Sequence, residues 1–301
     1  MFESFPDVAK SPVSRGTRLD KVGMSDIEVP VKVTTPGQRH DMLAMARAAA
    51  YVSLDNTAAR GIHMSRLYLA LQESLERNPL NFLTVHDILQ NFLKSHEGIS
   101  ESAYLRIQYE QPLKRRALVT NNMGWRSYPV TLEGTLNGHS FDAALGIKIL
   151  YSSTCPCSAA LARQAIQKSF ANKFKSADPI NKDEALAWLG TEEGVNATPH
   201  GQRSEVVVNL VPKSPYAVDL ESLIDAIEDA LQTPVQSAVK REDEQEFAVR
   251  NASNLMFAED AARRVKAALD KRPDVKHFTL ECKHIESLHP HNAVAMASKD
   301  T

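Results

Sequence analysis

Apolar positions recur along the chain with two different periods. Ile27 to Val33, IEVPVKV, alternates apolar and other residues, which predicts a half-buried strand; Pro30 cannot donate to a ladder, so this strand belongs at an edge or a bulge. Met42 to Leu54, MLAMARAAAYVSL, extends as a second strand despite its alanines. The period then changes. Met64, Leu67, Tyr68, Leu71 and Leu75 follow the three-and-four spacing of an amphipathic helix that must end before Pro79. Residues 85–96 repeat that helical pattern. Tyr128, Val130 and Leu132 alternate like a strand closing on Asn137-Gly138, a hairpin-turn pair. The next strand, residues 144–153, runs straight into Cys155-Pro156-Cys157.

Behind the cysteines, Leu161, Ile166, Phe170 and Phe174 are spaced for a helix. Residues 176–198 form a polar connection with one short helix around Leu186, and 204–212 a strand. Two helices follow, over 218–232 and as one long element over 251–270, before strand character returns at 277–290. Hairpins in place of regular βαβ alternation favour an α+β fold with antiparallel sheets. The expected organisation is a loose, Pro- and Ser-rich N-terminal arm over 1–22 and a single domain over 23–301. Its two halves divide near residue 150, and the 176–198 insertion interrupts the second. No Gly-x-Gly-x-x-Gly and no Gly-x-x-x-x-Gly-Lys-Ser/Thr segment supports a dinucleotide fold or a P-loop.

Charge narrows the partners. Thirty-five basic residues against thirty-seven acidic ones give a formal charge of -2, so no overall field recruits nucleic acid or an anionic membrane. No stretch approaches the roughly 20 apolar residues of a membrane span, and the start lacks the layout of a secretion signal, which predicts a cytoplasmic protein. Three cysteines are too few for a disulfide scaffold and leave thiols for metal or chemistry.

Four clusters carry candidate chemistry: Cys155-Pro156-Cys157, His200-Gly-Gln-Arg-Ser204, the run Lys240 to Glu246, and Glu286-Ser-Leu-His289-Pro-His291. Each has an ordinary reading when taken alone. Cys-x-Cys is not the usual zinc-clamping spacing, buried cysteines are common, and charge runs are mostly solvated. Together they contain what a hydrolytic metal centre requires, three ligands drawn from thiolate, imidazole and carboxylate with a position left for water; Cys155, His200 and one of the glutamates could supply it. Pro156 restricts Cys155 to extended backbone, which stiffens a ligand or a nucleophile. Glu286, His289 and His291 combine a carboxylate with groups that titrate near working pH, as proton transfer needs.

The wording of these segments resembles the type IB GTP cyclohydrolase I family: His63-Met-Ser-Arg66, the STCPCS of Ser153 to Ser158, the PHGQRSEV of Pro199 to Val206, VKREDEQEF, MFAEDAARRV, and His284 to His291, in the family's order from about Val22 to Met296. The resemblance implies a tunnelling fold of two tandem halves, assembled as a homotetramer with active sites at subunit interfaces. It implies conversion of GTP to 7,8-dihydroneopterin triphosphate and formate, the first step of tetrahydrofolate biosynthesis, with a divalent manganese, iron or zinc ion. By the same resemblance Cys155 and His200 match metal ligands, with Cys155 at the reaction centre. Glu244 matches the third ligand best among Glu242, Asp243 and Glu246. Glu259 matches the guanine anchor, Glu286, His289 and His291 match proton-transfer positions, and Arg66, Arg203, Lys240 and Arg241 face the triphosphate. Cys157 lines the site, and its oxidation with Cys155 is conceivable. Rival readings are a tunnelling-fold nitrile reductase and a non-catalytic thiol-based metal-binding or redox-sensing protein.

Overall fold

Eight strands lie side by side in chain order and build one antiparallel sheet: β1 Leu19–Val33, β2 Met42–Leu54, β3 Ser102–Arg116, β4 Met123–Asn137, β5 Ser140–Thr154, β6 Gly201–Pro212, β7 Val275–His284 and β8 Ala293–Ser298. The structure, a computed structural model, describes residues 16–299. Helices α1 Met64–Arg77 and α2 Phe82–Ser95 join β2 to β3, and α3 Pro156–Lys173 and α4 Lys182–Leu189 join β5 to β6. The connection from β6 to β7 holds α5 Leu220–Leu231, α6 Arg241–Ser253 and α7 Ala258–Asp270. The hairpin from β4 to β5 turns at Gly138, whose φ of 58° suits a glycine.

One face of the sheet is covered. β3 shows how: Ala103, Leu105, Ile107 and Tyr109 are buried while Arg106, Gln108 and Glu110 between them are exposed, the alternation of a strand wetted on one side. Leu67, Leu71 and Leu75 of α1 and Ile88, Leu89 and Phe92 of α2 pack under the first four strands. Leu223, Ile227 and Leu231 of α5 with Val265 and Leu269 of α7 do the same under the last four, in one continuous core. α2 lies so close to β4 that a Cβ on Gly134 would meet the Val85 side chain at 2.6 Å. Asn81 caps α2 by accepting from the Thr84 N–H at 2.9 Å, and Asp219 caps α5 through Ser222 at 3.0 Å.

Several expectations change. β1 begins at Leu19, so residues 19–22 of the expected arm are strand; residues 1–15 lie outside the described residues. β3 and β8 were not anticipated: β3 carries charged outward positions and β8 is only six residues long. Strand character does not persist to Pro290, because β7 stops at His284. The single helix expected over 251–270 is two, since the Asn254 side chain donates to the Leu231 carbonyl at 2.8 Å and holds the break between α6 and α7. In α3 the expected helix forms, but it buries Ala159 and Ala162 and leaves Leu161 exposed. The 176–198 insertion contains the short helix α4, whose Trp188 packs against Phe170 and Phe174 of the α3 region at ring-centroid distances of 5.8 and 5.9 Å. No helix among the described residues is long and apolar enough to cross a membrane.

Candidate active site

β5 and β6 stay paired to their very ends, where Thr154 faces Gly201. Cys155 and His200, the residues just beyond that pair, therefore meet: the Cys155 N–H donates to the His200 carbonyl at 3.3 Å. The local sequence dictates the geometry on the cysteine side. Pro156 opens α3 at its first position, where its missing N–H costs nothing, and Cys155 caps it in extended backbone, φ -66° and ψ 123°. On the other side, the His200 N–H is held by the Ser158 hydroxyl at 3.0 Å.

β7 brings the third group. Ser204 of β6 pairs with His284, the Ile285 N–H donates to the Arg203 carbonyl at 3.3 Å, and Glu286 follows at the same end of the sheet. His200 Nε2 and Glu286 Oε2 are 3.7 Å apart. Among the described residues Glu286 Oε2 is buried without a hydrogen-bond partner, and so is Gln202 Oε1. The start of α7 arrives beside them, because the Met256 N–H donates to the Thr154 carbonyl at 3.2 Å. Glu259 stands exposed in the first turn of that helix.

Behind these groups lies a buried polar layer that spacing alone did not disclose. His284 Nε2 sits 3.0 Å from the Tyr151 hydroxyl, and the hydroxyls of Ser153 and Ser204 are 2.8 Å apart. Burial pulls the His284 imidazole below its ordinary value, although Glu286, Glu259 and Asp260 pull it the other way. Burial also pushes the Cys282 thiol, which contacts the Tyr151 hydroxyl, up to about 12, so it stays protonated. A signal existed in the sequence: Tyr151, Ser204 and His284 occupy inward positions of three strands, which only the register aligns.

The acidic run sorts into distinct roles. Asp243 is buried and accepts from the N–H groups of Val119, Thr120 and Lys240 at 2.8 to 2.9 Å and from the Thr120 hydroxyl at 2.6 Å. Its lone pairs are committed to fastening the 119–120 loop to α6. Glu246 pairs with Arg250 at 2.7 Å. Glu242 and Glu244 project exposed from the first turn of α6, and neither has a side-chain hydrogen bond or ion pair among the described residues. No three His, Cys, Asp or Glu side chains among the described residues are close enough to share one cation, so Glu244 is not brought to Cys155 and His200 within one chain.

The remaining candidates are dispersed. His289 and His291 stack at 5.1 Å in the exposed segment after β7. Arg203 is exposed on β6, Lys240 and Arg241 are exposed at the start of α6, and Cys157 is exposed on the first turn of α3. Arg66 lies on α1 in the other half, where it donates to the Ser95 carbonyl at 2.7 Å.

Residues 5–295 match the family described as Type I GTP cyclohydrolase folE2. The chain is 46% identical over 296 residues to the GTP cyclohydrolase FolE2 of Hydrogenovibrio crunogenus, covering 98% of this chain and 94% of that one. It is 48% identical over 298 residues to the GTP cyclohydrolase FolE2 of Bdellovibrio bacteriovorus, covering 99% and 97%. Among solved structures it resembles the uricase of Arthrobacter globiformis, with a TM-score of 0.51 and 9% identity over 93% of this chain and 92% of that one. The uricase of Bacillus fastidious gives a TM-score of 0.51 at 8% identity over 95% and 94%. At such identities the likeness concerns the fold alone.

Proposed function

The chain belongs to the type I GTP cyclohydrolase folE2 family, and we propose that its active centre is the end of the sheet where Cys155, His200 and Glu286 converge. It is a GTP cyclohydrolase of folate biosynthesis. The observation that carries the location is the approach of His200 Nε2 to a buried Glu286 oxygen with no hydrogen-bond partner among the described residues, where the His200 backbone is bonded to that of Cys155 at a rigid strand end.

The donor types suit a divalent cation, since Cys155 offers sulfur and His200 nitrogen; Glu286 Oε2, which lacks a hydrogen-bond partner among the described residues, stands 3.7 Å from His200, but the three side chains do not by themselves enclose one cation position. In this reading Cys155 and His200 would hold manganese, iron or zinc, and Glu244, which is not brought to them within one chain, would come as third ligand from a second copy. When bound, such an ion makes water nucleophilic near neutral pH. The protein's own groups do the rest. The Glu259 carboxylate accepts from the guanine ring N–H and exocyclic amine together, a paired and directional contact. Arg66, Arg203, Lys240 and Arg241 meet the triphosphate, arginine by its planar fork. Glu286, His289 and His291 move protons to and from the purine nitrogens while the five-membered ring opens at C8. C8 leaves as formate, and the sugar carbons close the new ring of 7,8-dihydroneopterin triphosphate.

The same reading includes a tunnelling fold, a cytoplasmic location and a homotetramer with active sites built across subunit interfaces. Two features support assembly: β8 is paired on one side only among the described residues and β1 has just an isolated bridge from Lys32 to Pro79 on its outer side, and Glu244 is not grouped with Cys155 and His200 within one chain. The test is incubation of GTP with metal-stripped protein reconstituted with manganese, iron or zinc. Formate and a fluorescent pterin after oxidation should appear together and only with metal; tight metal binding with neither product would overturn the reading.

A further inference from the structure

The inward-facing rows that cross β5, β6 and β7 change character toward the active-site end. Ile147, Val208 and Leu280 form one row, all apolar and buried. Two rows further on, Tyr151, Ser204 and His284 form another, equally buried and all polar. Placing a phenol, a hydroxyl and an imidazole where an apolar row would pack costs free energy unless each is paired. They are paired: His284 Nε2 lies 3.0 Å from Tyr151 Oη, and Ser204 Oγ lies 2.8 Å from Ser153 Oγ. The Tyr151–His284 contact spans β6 and ties its two neighbours together just short of the site. His284 is the last residue of β7, two before Glu286, and Tyr151 stands four before Cys155 on β5.

We propose that His284, locked by the Tyr151 hydroxyl, is a positioning residue that sets the end of β7, and with it Glu286, against His200 and Cys155. The inference rests on the active centre assigned above. Main-chain pairing alone fixes β7 only as far as His284, since the chain leaves the ladder there and Ile285 retains a single bond to Arg203. The 3.7 Å separation of His200 and Glu286 is therefore determined by the direction in which the chain exits β7. A buried side chain at the exit residue, held from two strands away, is a direct means of fixing that direction. The imidazole meets the Tyr151 hydroxyl on the sheet, and the charges that act on it are those of Glu286 just beyond β7 and of Glu259 and Asp260 on α7.

The experiment compares wild type with Tyr151→Phe, His284→Phe and His284→Gln, each checked for folding by circular dichroism at the assay temperature, with kcat and KM for formate release from GTP. Tyr151→Phe and His284→Phe should lower kcat by about tenfold or more with KM within about twofold of wild type, as loss of a group that orients site residues does. His284→Gln, which returns a polar atom near the position of Nε2, should recover most of that loss. A purely structural role would change melting temperature without this split or this rescue. If His284→Phe does not fold, Tyr151→Phe carries the comparison. Folded Tyr151→Phe protein with wild-type kcat overturns the inference alone, as does a His284→Gln variant no better than a folded His284→Phe. Wild type that releases no formate overturns the assigned function and this inference with it.

Discussion

His200 Nε2 and Glu286 Oε2 face each other at 3.7 Å, and that carboxylate oxygen is buried with no hydrogen-bond partner among the described residues. The separation is too long for a hydrogen bond. A buried oxygen left without a hydrogen-bond partner is costly in such a place. The consequences below follow from which residues surround that position and which are committed elsewhere.

Cys155 and His200 share a backbone hydrogen bond at the strand ends, whereas Cys157 is exposed on α3. Cys155→Ala and His200→Ala should each lose bound divalent ion, with at least about tenfold weaker affinity, while Cys157→Ala keeps it. Metal content per chain after desalting, measured by atomic emission, checks this. Full metal occupancy in Cys155→Ala would remove the thiol from the ligand set.

Asp243 fastens α6 to the 119–120 loop. Burial acts to raise its carboxyl, but the Thr120 hydroxyl and the N–H groups of Lys240, Thr120 and Val119 outweigh it and hold the group well below the usual range of about 3.8. A depressed folded value means that the stabilisation is fully present above the unfolded value near 3.8 and is lost as pH falls through the lower folded one. Asp243→Asn should therefore be less stable than wild type at neutral pH, and the gap should narrow as the solution is acidified below about pH 4. Urea unfolding at a series of pH values measures it; a gap independent of pH would contradict the sign.

Arg126 reaches from β4 to Glu228 on α5 with both terminal nitrogens, at 3.0 and 3.1 Å, and the Tyr128 hydroxyl donates to the same carboxylate at 2.7 Å. The pair joins the two halves and its side chains are only 10% and 9% exposed. Glu228→Ala strands the guanidinium and should destabilise by about 3–5 kcal/mol, whereas replacing both partners with apolar residues should cost less. Denaturant midpoints of the single and double variants decide between these outcomes.

Much of the fold and part of the site could be read from the chain. The α1 stripe of Leu67, Leu71 and Leu75 is regular enough to name the buried face, and Pro156 fixed Cys155 as a stiff strand end. The split between α6 and α7 was hidden because Asn254 breaks the helix through a tertiary bond to Leu231, which no local spacing encodes. In α3 the large residues suggested a face, yet the small ones are buried, because the helix leaves the sheet early and its aromatic end packs on the insertion. The resemblance set Cys155 and His200 with Glu244 as ligands and Glu286 with the histidines after it; that Glu286 rather than Glu244 ends beside His200 within one chain depends on where β7 stops. The supporting row of Tyr151, Ser204 and His284 depends on a register across three strands separated by more than 130 residues.

The most direct test replaces Glu286 with glutamine, which keeps the shape and removes the charge. Formate release from GTP is compared with wild type at equal metal content. If the sheet end is the active centre and Glu286 moves a proton there, kcat should fall by about 100-fold or more while the protein stays folded. Glu286→Gln protein, folded and metal-loaded, that releases formate at the wild-type rate would contradict the assignment and send the search for the active centre elsewhere on the molecule.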